Sequence, residues 1–187
     1  MNLFQTKDID LSVKDIDTAG RRVKIMLSKF NNVDSDGDII AKGAFAKSIQ
    51  ERGAESQSNR KIKFLRYHDF EHQIGVFTKL EETADGLIAY GDLGRSTKGD
   101  DAFLDYQDGV ITEHSIGFQT INDKIEVRQD GTQILKEVIL WEGSAVTFGA
   151  NSETPLFSVS KGNGEDYLQK LNKKMNGLTN ALKNGKG

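Results

Sequence analysis

The 187-residue chain contains no cysteine, a single proline and no long apolar run. The lack of cysteine excludes disulfides, zinc–thiolate sites and a cysteine nucleophile. No apolar stretch approaches the roughly 20 residues that a membrane-spanning helix requires. The net charge is only −3, so the overall charge offers no electrostatic basis for binding nucleic acid. We therefore expect neither a membrane nor a nucleic-acid partner.

Charge and composition change near the end of the chain. From Lys161 onward, six lysines stand against Glu165 and Asp166, which makes this segment basic within an acidic chain. Apolar residues recur there at alternating spacings of three and four, which is typical of an amphipathic helix: Leu168, Leu171, Met175, Leu178 and Leu182. The sequence therefore predicts a main domain over residues 1–160 and a basic amphipathic helix or tail over residues 161–187.

Most of the main domain consists of short segments in which apolar and polar residues alternate, the pattern of β-strands. Two segments have helical spacing instead, Gly43–Arg52 and Lys98–Asp108. In the second, the spacing predicts that Ala102, Phe103 and Tyr106 face inward. The fold class predicted is α+β and mainly β, a small antiparallel β-barrel flanked by helices. The predicted strands include Arg22–Phe30, Lys61–His68, the hairpin of Gln73–Leu80 with Gly86–Leu93, Glu113–Phe118, and a long apolar strand over Gln133–Phe148 in which Gly143 is a candidate for a bulge.

The segment Glu113–Phe118 carries a serine where a nucleophile could lie. In a strand, His114 and Ile116 would face one side, while Ser115 and Gly117 would face the other. Because Gly117 has no side chain, it would leave room beside the Ser115 hydroxyl for another backbone. The local pattern by itself favours an ordinary serine on a polar strand face.

A serine nucleophile needs a base, and the base needs a third group to orient it. Of the three histidines, His114 would point away from Ser115 and His72 is predicted to lie in a polar turn, which leaves His68 as the best candidate. Glu142 interrupts the most apolar stretch, so its carboxylate must be paired or lie at a cleft. A structural ion pair remains the alternative for Glu142.

The acidic turn Asn31–Asp38 has a superficial likeness to a calcium loop. Aligning Asp34, Asp36 and Gly37 with an EF-hand places Gly43 where the bidentate glutamate is required. We therefore predict a tight polar turn and no metal site, although a calcium-dependent adhesion domain using Asp34, Asp36 and Asp38 stays an alternative.

Five blocks, in order, resemble the prohead (capsid-maturation) proteases of tailed bacteriophages, which are relatives of herpesvirus assemblin. Together they cover roughly residues 20–155. The blocks are Asn32–Asp38 with Gly43-Ala44-Phe45, then Tyr67-His68-Asp69 with Ile74-Gly75, Gly86-Leu87, Ser115-Ile116-Gly117-Phe118, and Leu140–Asn151.

The resemblance implies an assemblin-like β-barrel and a serine endopeptidase that needs no cofactor. By matching positions, Ser115 would be the nucleophile, His68 the general base and Glu142 the orienting carboxylate. Glu137 stays an alternative third member, because Gly143 stands where the family commonly has a Val-like residue. The turn Gly149-Ala150-Asn151 is the candidate for the oxyanion hole.

The resemblance also implies substrates and a place of action. The substrates would be the scaffold, the N-terminal segment of the major capsid protein and the protease itself. The chain would act inside the procapsid in the host cell cytoplasm, as a weak homodimer or oligomer. The alternative function is a non-catalytic assembly protein that binds scaffold or capsid through its basic tail.

Overall fold

A computed structural model describes residues 20–151 and 154–159. The predicted C-terminal helix, the domain boundary near residue 160 and any strand before residue 20 lie outside these residues. Within them are ten strands and two α-helices. The strands are β1 (Arg22–Lys29), β2 (Asp38–Ile40), β3 (Lys63–Arg66), β4 (Asp69–Glu82), β5 (Gly86–Leu93), β6 (Glu113–Thr120), β7 (Ile125–Val127), β8 (Gln133–Leu135), β9 (Val138–Val146) and β10 (Leu156–Val159); the helices are α1 (Ala46–Arg52) and α2 (Thr97–Gln107).

Seven of the strands form one curled sheet in the order β10-β1-β5-β4-β3-β9-β6. β1, which lies next to the edge strand β10, approaches β6 at the opposite edge, but the two do not join in a hydrogen-bonded ladder. The described strands therefore form a half-barrel rather than the barrel that the sequence predicted. The fold remains mainly β with two helices, as expected.

The strand pairs are mainly antiparallel, as predicted, but two of them are parallel. β3 pairs with β9 in parallel, and β2 pairs with β8 in parallel within a separate three-stranded sheet, β2-β8-β7. Alternation of apolar and polar residues identifies a strand but carries no information on the direction of its neighbour. The parallel β3–β9 pair has a direct consequence for the site, because it brings the ends of both strands to the same edge.

The predicted strand over Gln133–Phe148 is in fact two strands in different sheets. β8 ends at Leu135 and β9 begins at Val138, with Lys136 and Glu137 between them. Gly143 does not form a bulge: it pairs regularly with Ile116 and Phe64. The register shift in the β6–β9 ladder lies two residues earlier, at Trp141 of β9, because Gly117 pairs with Glu142 and Phe118 pairs with Leu140.

One continuous core lies on the inner side of the half-barrel. It includes Phe45 beside α1, and three residues of α2 that the spacing predicted to face inward, Ala102, Phe103 and Tyr106. Gly143 is part of this packing, since a Cβ there would lie 2.6 Å from Leu27 Cδ1 and 3.0 Å from Phe77 Cζ. Ser48 of α1 fastens the helix to β9, because its hydroxyl donates to Val138 O at 2.8 Å and accepts from Leu140 N at 3.0 Å.

Candidate active site

His68 lies in the turn that joins β3 to β4. β3 ends at Arg66, so His68 lies just beyond the strand that was predicted to contain it. Tyr67 and His68 both have a φ of 58°, in the left-handed region that is costly for residues other than glycine. Such a conformation costs about 1–3 kcal/mol per residue and persists only where neighbouring structure holds it. Here the amide of Tyr67 donates to Ala145 O, and the amide of His68 donates to Ser144 Oγ, both on β9.

Glu142 lies in the middle of β9 and is 1% exposed. Its two carboxylate oxygens both have partners: Oε1 lies 2.6 Å from Nδ1 of His68, and Oε2 accepts a 2.6 Å hydrogen bond from the Ser144 hydroxyl. A buried carboxylate is tolerated only when it is satisfied in this way. The interruption of the most apolar stretch is therefore explained by the contact with His68.

The carboxylate changes the acidity of the imidazole. The hydrogen bond from Glu142 raises the pKa of His68, and its charge adds to the rise, while partial burial opposes it. The side chain of His68 is 44% exposed although that of Glu142 is 2% exposed. One edge of the ring is thus held by a buried carboxylate while the rest of it faces solvent.

Glu137, the alternative third residue, lies elsewhere. It stands in the link between β8 and β9, where its carboxylate is 3.4 Å from Lys47 Nζ and 4.0 Å from Lys124 Nζ. The structure therefore brings Glu142 and not Glu137 to His68.

Ser115 lies on β6, directly opposite Ser144 of β9, and Gly117 lies opposite Glu142. Paired residues of antiparallel strands share a face, so these four residues lie on one side of the sheet. The space at Gly117 is already filled: a Cβ there would lie 2.1 Å from Glu142 Oε1. The interpretation of Gly117 as room for a substrate backbone is therefore wrong, because the missing side chain makes room for the carboxylate that contacts His68.

Ser115 and His68 border the same cleft, of about 590 Å³. Its other walls come from the seam between β1 and β6, from the acidic turn and from the segment after β9: Leu27, Ser28, Asp34, Ser35, Asp36, Ile40, Ile116, Phe118, Phe148, Gly149, Ala150 and Asn151. The predicted oxyanion turn thus lies at the cleft. The amide of Gly149, however, donates to Glu113 Oε2 at 2.9 Å, which weighs against it as an oxyanion donor.

A second cavity, of about 420 Å³, also borders His68. Its walls are largely aromatic: Phe70, Phe118 and Trp141, with Ile116, Gly117, His68 and Glu142. Sequence reasoning missed this cavity, because its aromatic residues come from three separate strands and no local pattern joins them.

The other two histidines lie outside this arrangement. His72 is within β4, rather than in a turn. His114 is fully buried and points away from Ser115, as predicted. Its Nδ1–H donates to Thr154 O at 2.9 Å, and its Nε2 accepts from the Tyr106 hydroxyl at 3.1 Å. Burial lowers the pKa of His114 to about 4. It is a neutral core histidine.

The acidic turn is closed by its own hydrogen bonds. Asp34 Oδ1 accepts from the amides of Asp36 and Asp38, at 3.0 and 2.9 Å. Asn31 and Gly37 take the positive φ values that such turns favour. Across residues 20–151 and 154–159, no group of three or more histidine or acidic side chains is placed to hold a metal ion. In the same part of the chain, no helix is long and apolar enough to cross a membrane.

A seryl hydroxyl, a half-exposed histidine and a buried carboxylate, gathered on one face of a half-barrel, have the composition of a serine hydrolase site. Comparison with known proteins is consistent with this class. The family model for the caudovirus prohead serine protease matches residues 8–169, and the chain belongs to that family.

Two curated relatives and one solved structure are similar to the chain. It is 30% identical over 144 residues to the prohead protease of Enterobacteria phage HK97, covering 76% of this chain and 61% of that protein. It is 26% identical over 165 residues to the prohead protease of Escherichia phage T5, covering 86% and 75%. The chain thus spans about three fifths of the length of the HK97 relative.

The solved structure is that of the bacteriophage T4 capsid assembly protease. It aligns with a TM-score of 0.55 and 12% identity over 68% of this chain and 82% of that one. This likeness concerns the fold alone. The expected likeness to herpesvirus assemblin stays a prediction.

Proposed function

We propose that the chain is a serine endopeptidase of phage procapsid maturation, with Ser115 as nucleophile, His68 as general base and Glu142 as the orienting carboxylate. The observation that carries the proposal is the 2.6 Å contact between His68 Nδ1 and Glu142 Oε1 beside a cleft that Ser115 borders. Family membership and the names of the relatives support proteolysis as the reaction.

The chemistry follows from which nitrogen is held. With Nδ1–H donating to Glu142, the neutral imidazole presents Nε2 as a base to the cleft. As Ser115 Oγ attacks a peptide carbonyl, its proton passes to Nε2, and the imidazolium that forms is stabilised by the Glu142 carboxylate. Nε2–H then protonates the leaving amine. Water then gives a proton to Nε2 and attacks the acyl-enzyme. As the bond between the acyl carbon and Ser115 Oγ breaks, Nε2–H returns that proton to Oγ, which releases the second product and restores the Ser115 hydroxyl and the neutral imidazole.

The negative oxygen of the tetrahedral intermediate needs hydrogen-bond donors. The turn after β9 lines the cleft on the Ser115 side, and Ala150 and Asn151 remain its candidates. Gly149 is the weakest of the three, because its amide already bonds the Glu113 carboxylate.

The proposed substrates are proteins of the procapsid: the scaffold, the N-terminal segment of the major capsid protein and the protease itself. The proposed place of action is the procapsid interior within the host cytoplasm, where confinement raises the local concentration of enzyme and substrate. Weak self-association of the chain is part of this proposal. The proposed reaction uses no cofactor.

The test is cleavage by the purified chain and by its Ser115→Ala variant, with intact mass measured before and after incubation with scaffold protein. Loss of the nucleophile should lower the rate on the order of a millionfold while the fold persists. Ser158→Ala, which removes an exposed hydroxyl from β10, is the matched control and should cleave as the parent does.

The same experiment separates the protease from the non-catalytic assembly protein. Binding of scaffold without cleavage by the parent chain, or equal cleavage by the parent and Ser115→Ala, would reject the proposed mechanism. His68→Ala should be as severe as Ser115→Ala, since without the base the hydroxyl is not activated.

A further inference from the structure

Ser144 contacts both His68 and Glu142 but takes no part in the proton transfers of the proposed reaction. Its side chain is fully buried, opposite Ser115 in the β6–β9 ladder and opposite Leu65 in the β3–β9 ladder. It does not line either of the two cavities beside His68. A role in direct contact with substrate is therefore excluded by its placement.

The hydroxyl of Ser144 makes two hydrogen bonds whose directions are fixed by chemistry. The amide of His68 can only donate, so Ser144 Oγ accepts from it at 3.1 Å. The single hydroxyl proton is then given to Glu142 Oε2 at 2.6 Å. One side chain thus connects the backbone of the histidine to the carboxylate that holds its ring.

Both partners need this restraint. The left-handed φ of His68 is maintained by contacts with β9, and the Ser144 bond acts on the histidine itself. Glu142 would otherwise have one buried oxygen without a donor among the described side chains, because its other oxygen faces His68 Nδ1. A buried carboxylate with one unsatisfied oxygen rotates or binds a water molecule instead. Either change moves the other oxygen, which faces the imidazole.

We propose that Ser144 is a positioning residue that holds the Glu142 carboxylate and the His68 turn in register with each other, which rests on the proposed function of Ser115, His68 and Glu142. Ser144 acts through these two residues and donates no proton to the reacting atoms. Its hydroxyl proton stays on Ser144 throughout the cycle.

The first test is the kinetics of Ser144→Ala on a scaffold-derived peptide. We expect kcat to fall by about 10- to 100-fold, since residues in one hydrogen-bond network couple strongly, while KM stays within about twofold. Ser144→Thr keeps the hydroxyl and should recover most of kcat. A folded Ser144→Ala variant with unchanged kcat would overturn the inference.

Ser48→Ala is the matched control for a merely structural effect. Ser48 is also buried, and its hydroxyl also bonds the β9 backbone, but its partners are Val138 and Leu140 rather than the site. We expect Ser48→Ala to lower the melting temperature without a comparable loss of kcat. Equal losses of kcat in the two alanine variants would reject the positioning role.

A double-mutant cycle then identifies the residue through which Ser144 acts. In a Glu142→Ala background there is no carboxylate to orient, so adding Ser144→Ala should lower kcat by no more than about threefold further. A full, additive loss would contradict the inference.

A measurement that does not depend on activity completes the test. Amide hydrogen exchange at His68 should become faster in Ser144→Ala, because the amide loses its acceptor, and stay unchanged in Ser48→Ala. Unchanged exchange would overturn the inference even if Ser115→Ala is inactive and the proposed function holds. Cleavage by Ser115→Ala at the parent rate would reject the proposed function, and the exchange result would still decide the geometry around Ser144.

Discussion

The pKa of His68 links a single contact to a measurable pH profile. Glu142 raises this pKa, and the general base must be neutral, so cleavage should increase as pH rises through a value above the ordinary 6.5. Glu142→Gln removes the negative charge, so the pKa of His68 should fall and the acidic limb of the kcat/KM profile should move to lower pH. The plateau rate should drop on the order of 10⁴-fold, as for other triads that lose the carboxylate.

Glu137→Gln serves as the comparison for that experiment. Its carboxylate lies between Lys47 and Lys124, so its loss should leave the acidic limb where it is in the parent protein. If the acidic limb of the kcat/KM profile moved in Glu137→Gln and stayed in place in Glu142→Gln, Glu137 rather than Glu142 would be the residue that orients His68.

Gly117 and Gly143 offer a second prediction at the residue scale. A Cβ at position 117 would lie 2.1 Å from Glu142 Oε1 and 2.9 Å from its Cδ, so the carboxylate must move away from His68. Since displacements of about 1 Å in a catalytic group can cost about 100-fold in rate, Gly117→Ala should lower kcat by roughly that factor. The loss of kcat should therefore be the main effect of this substitution.

Gly143→Ala should show the opposite balance. The added methyl meets Leu27 and Phe77 in the core, and overpacking of this kind costs about 1–3 kcal/mol. Measuring urea unfolding and kcat for both alanine variants separates the two glycines. A large loss of stability in Gly117→Ala with unchanged kcat would contradict the role given to its missing side chain.

At the scale of elements, His114 joins three parts of the chain. Through its ring it connects β6 to Tyr106 of α2 and to Thr154, and Thr154 Oγ1 in turn donates to His114 O. Tyr106 has its pKa raised by burial, so both side chains are neutral in the folded protein at neutral pH. The network fixes β6, and with it the strand position of Ser115.

The pH dependence of folding tests this network. The pKa of His114 is about 4 when folded and 6.5 ordinarily, so the unfolded chain binds the extra proton between these values. The stabilisation that neutral His114 gives the folded protein is fully present above pH 6.5 and is lost as pH falls toward 4. Over this range the free energy of unfolding should change by up to about 1.4 kcal/mol per pH unit. Urea unfolding across this window should show a shallower dependence in His114→Gln than in the parent. Identical slopes would mean that His114 does not titrate as its burial implies.

Sequence patterns predicted individual elements better than their pairing. The alternation in β1, the β4–β5 hairpin and the apolar face of α2 each depend on neighbours in sequence, and these predictions are confirmed. The parallel β3–β9 pair depends on a contact between residues 63–66 and 142–145, which no local period encodes. The division of β8 from β9 was missed for the same reason, since both halves are apolar and only their different partners separate them.

The candidate site divides along the same line. Glu142 could be singled out because a carboxylate in an apolar run needs a partner, and its partner proved to be His68. Ser144 was passed over because a serine in a strand carries no such signal, and its bond with the His68 amide exists only once β3 and β9 are paired. Gly117 was noticed but misinterpreted, because the residue that fills its space is 25 positions away in the chain and lies opposite it only in the folded ladder.

At the scale of the whole molecule, the site is assembled at the seam of the half-barrel. β1 and the acidic turn come from the beginning of the described chain, and β6 with the turn after β9 comes from its later part, yet all of them line the Ser115 cleft. The aromatic cavity also borders His68 and shares Ile116 and Phe118 with that cleft. A peptide lying across His68 would therefore contact both cavities.

Trp141 gives this arrangement a spectroscopic signal. It is the only tryptophan in the chain, it is 39% exposed, and it forms part of the aromatic cavity with the Arg52 guanidinium 4.1 Å from its ring centroid. A scaffold peptide that spans the cleavage site should bind the inactive Ser115→Ala variant and exclude water from this ring. We expect the tryptophan emission to move to shorter wavelength as the peptide is added, and to saturate at the same concentration as binding measured by calorimetry.

Shorter peptides distinguish binding in the aromatic cavity from binding in the Ser115 cleft. Of two half-length peptides, one from each side of the scissile bond, only one should produce the shift, because Trp141 lines the aromatic cavity and does not border the Ser115 cleft. Phe70 also lines the aromatic cavity and is 71% exposed. Phe70→Ala should weaken binding of the half-length peptide that shifts the emission and leave binding of the other one unaffected. Saturating calorimetric binding of the full peptide with unchanged emission would mean that substrate passes the cleft without entering the aromatic cavity, and the two cavities would then have separate roles.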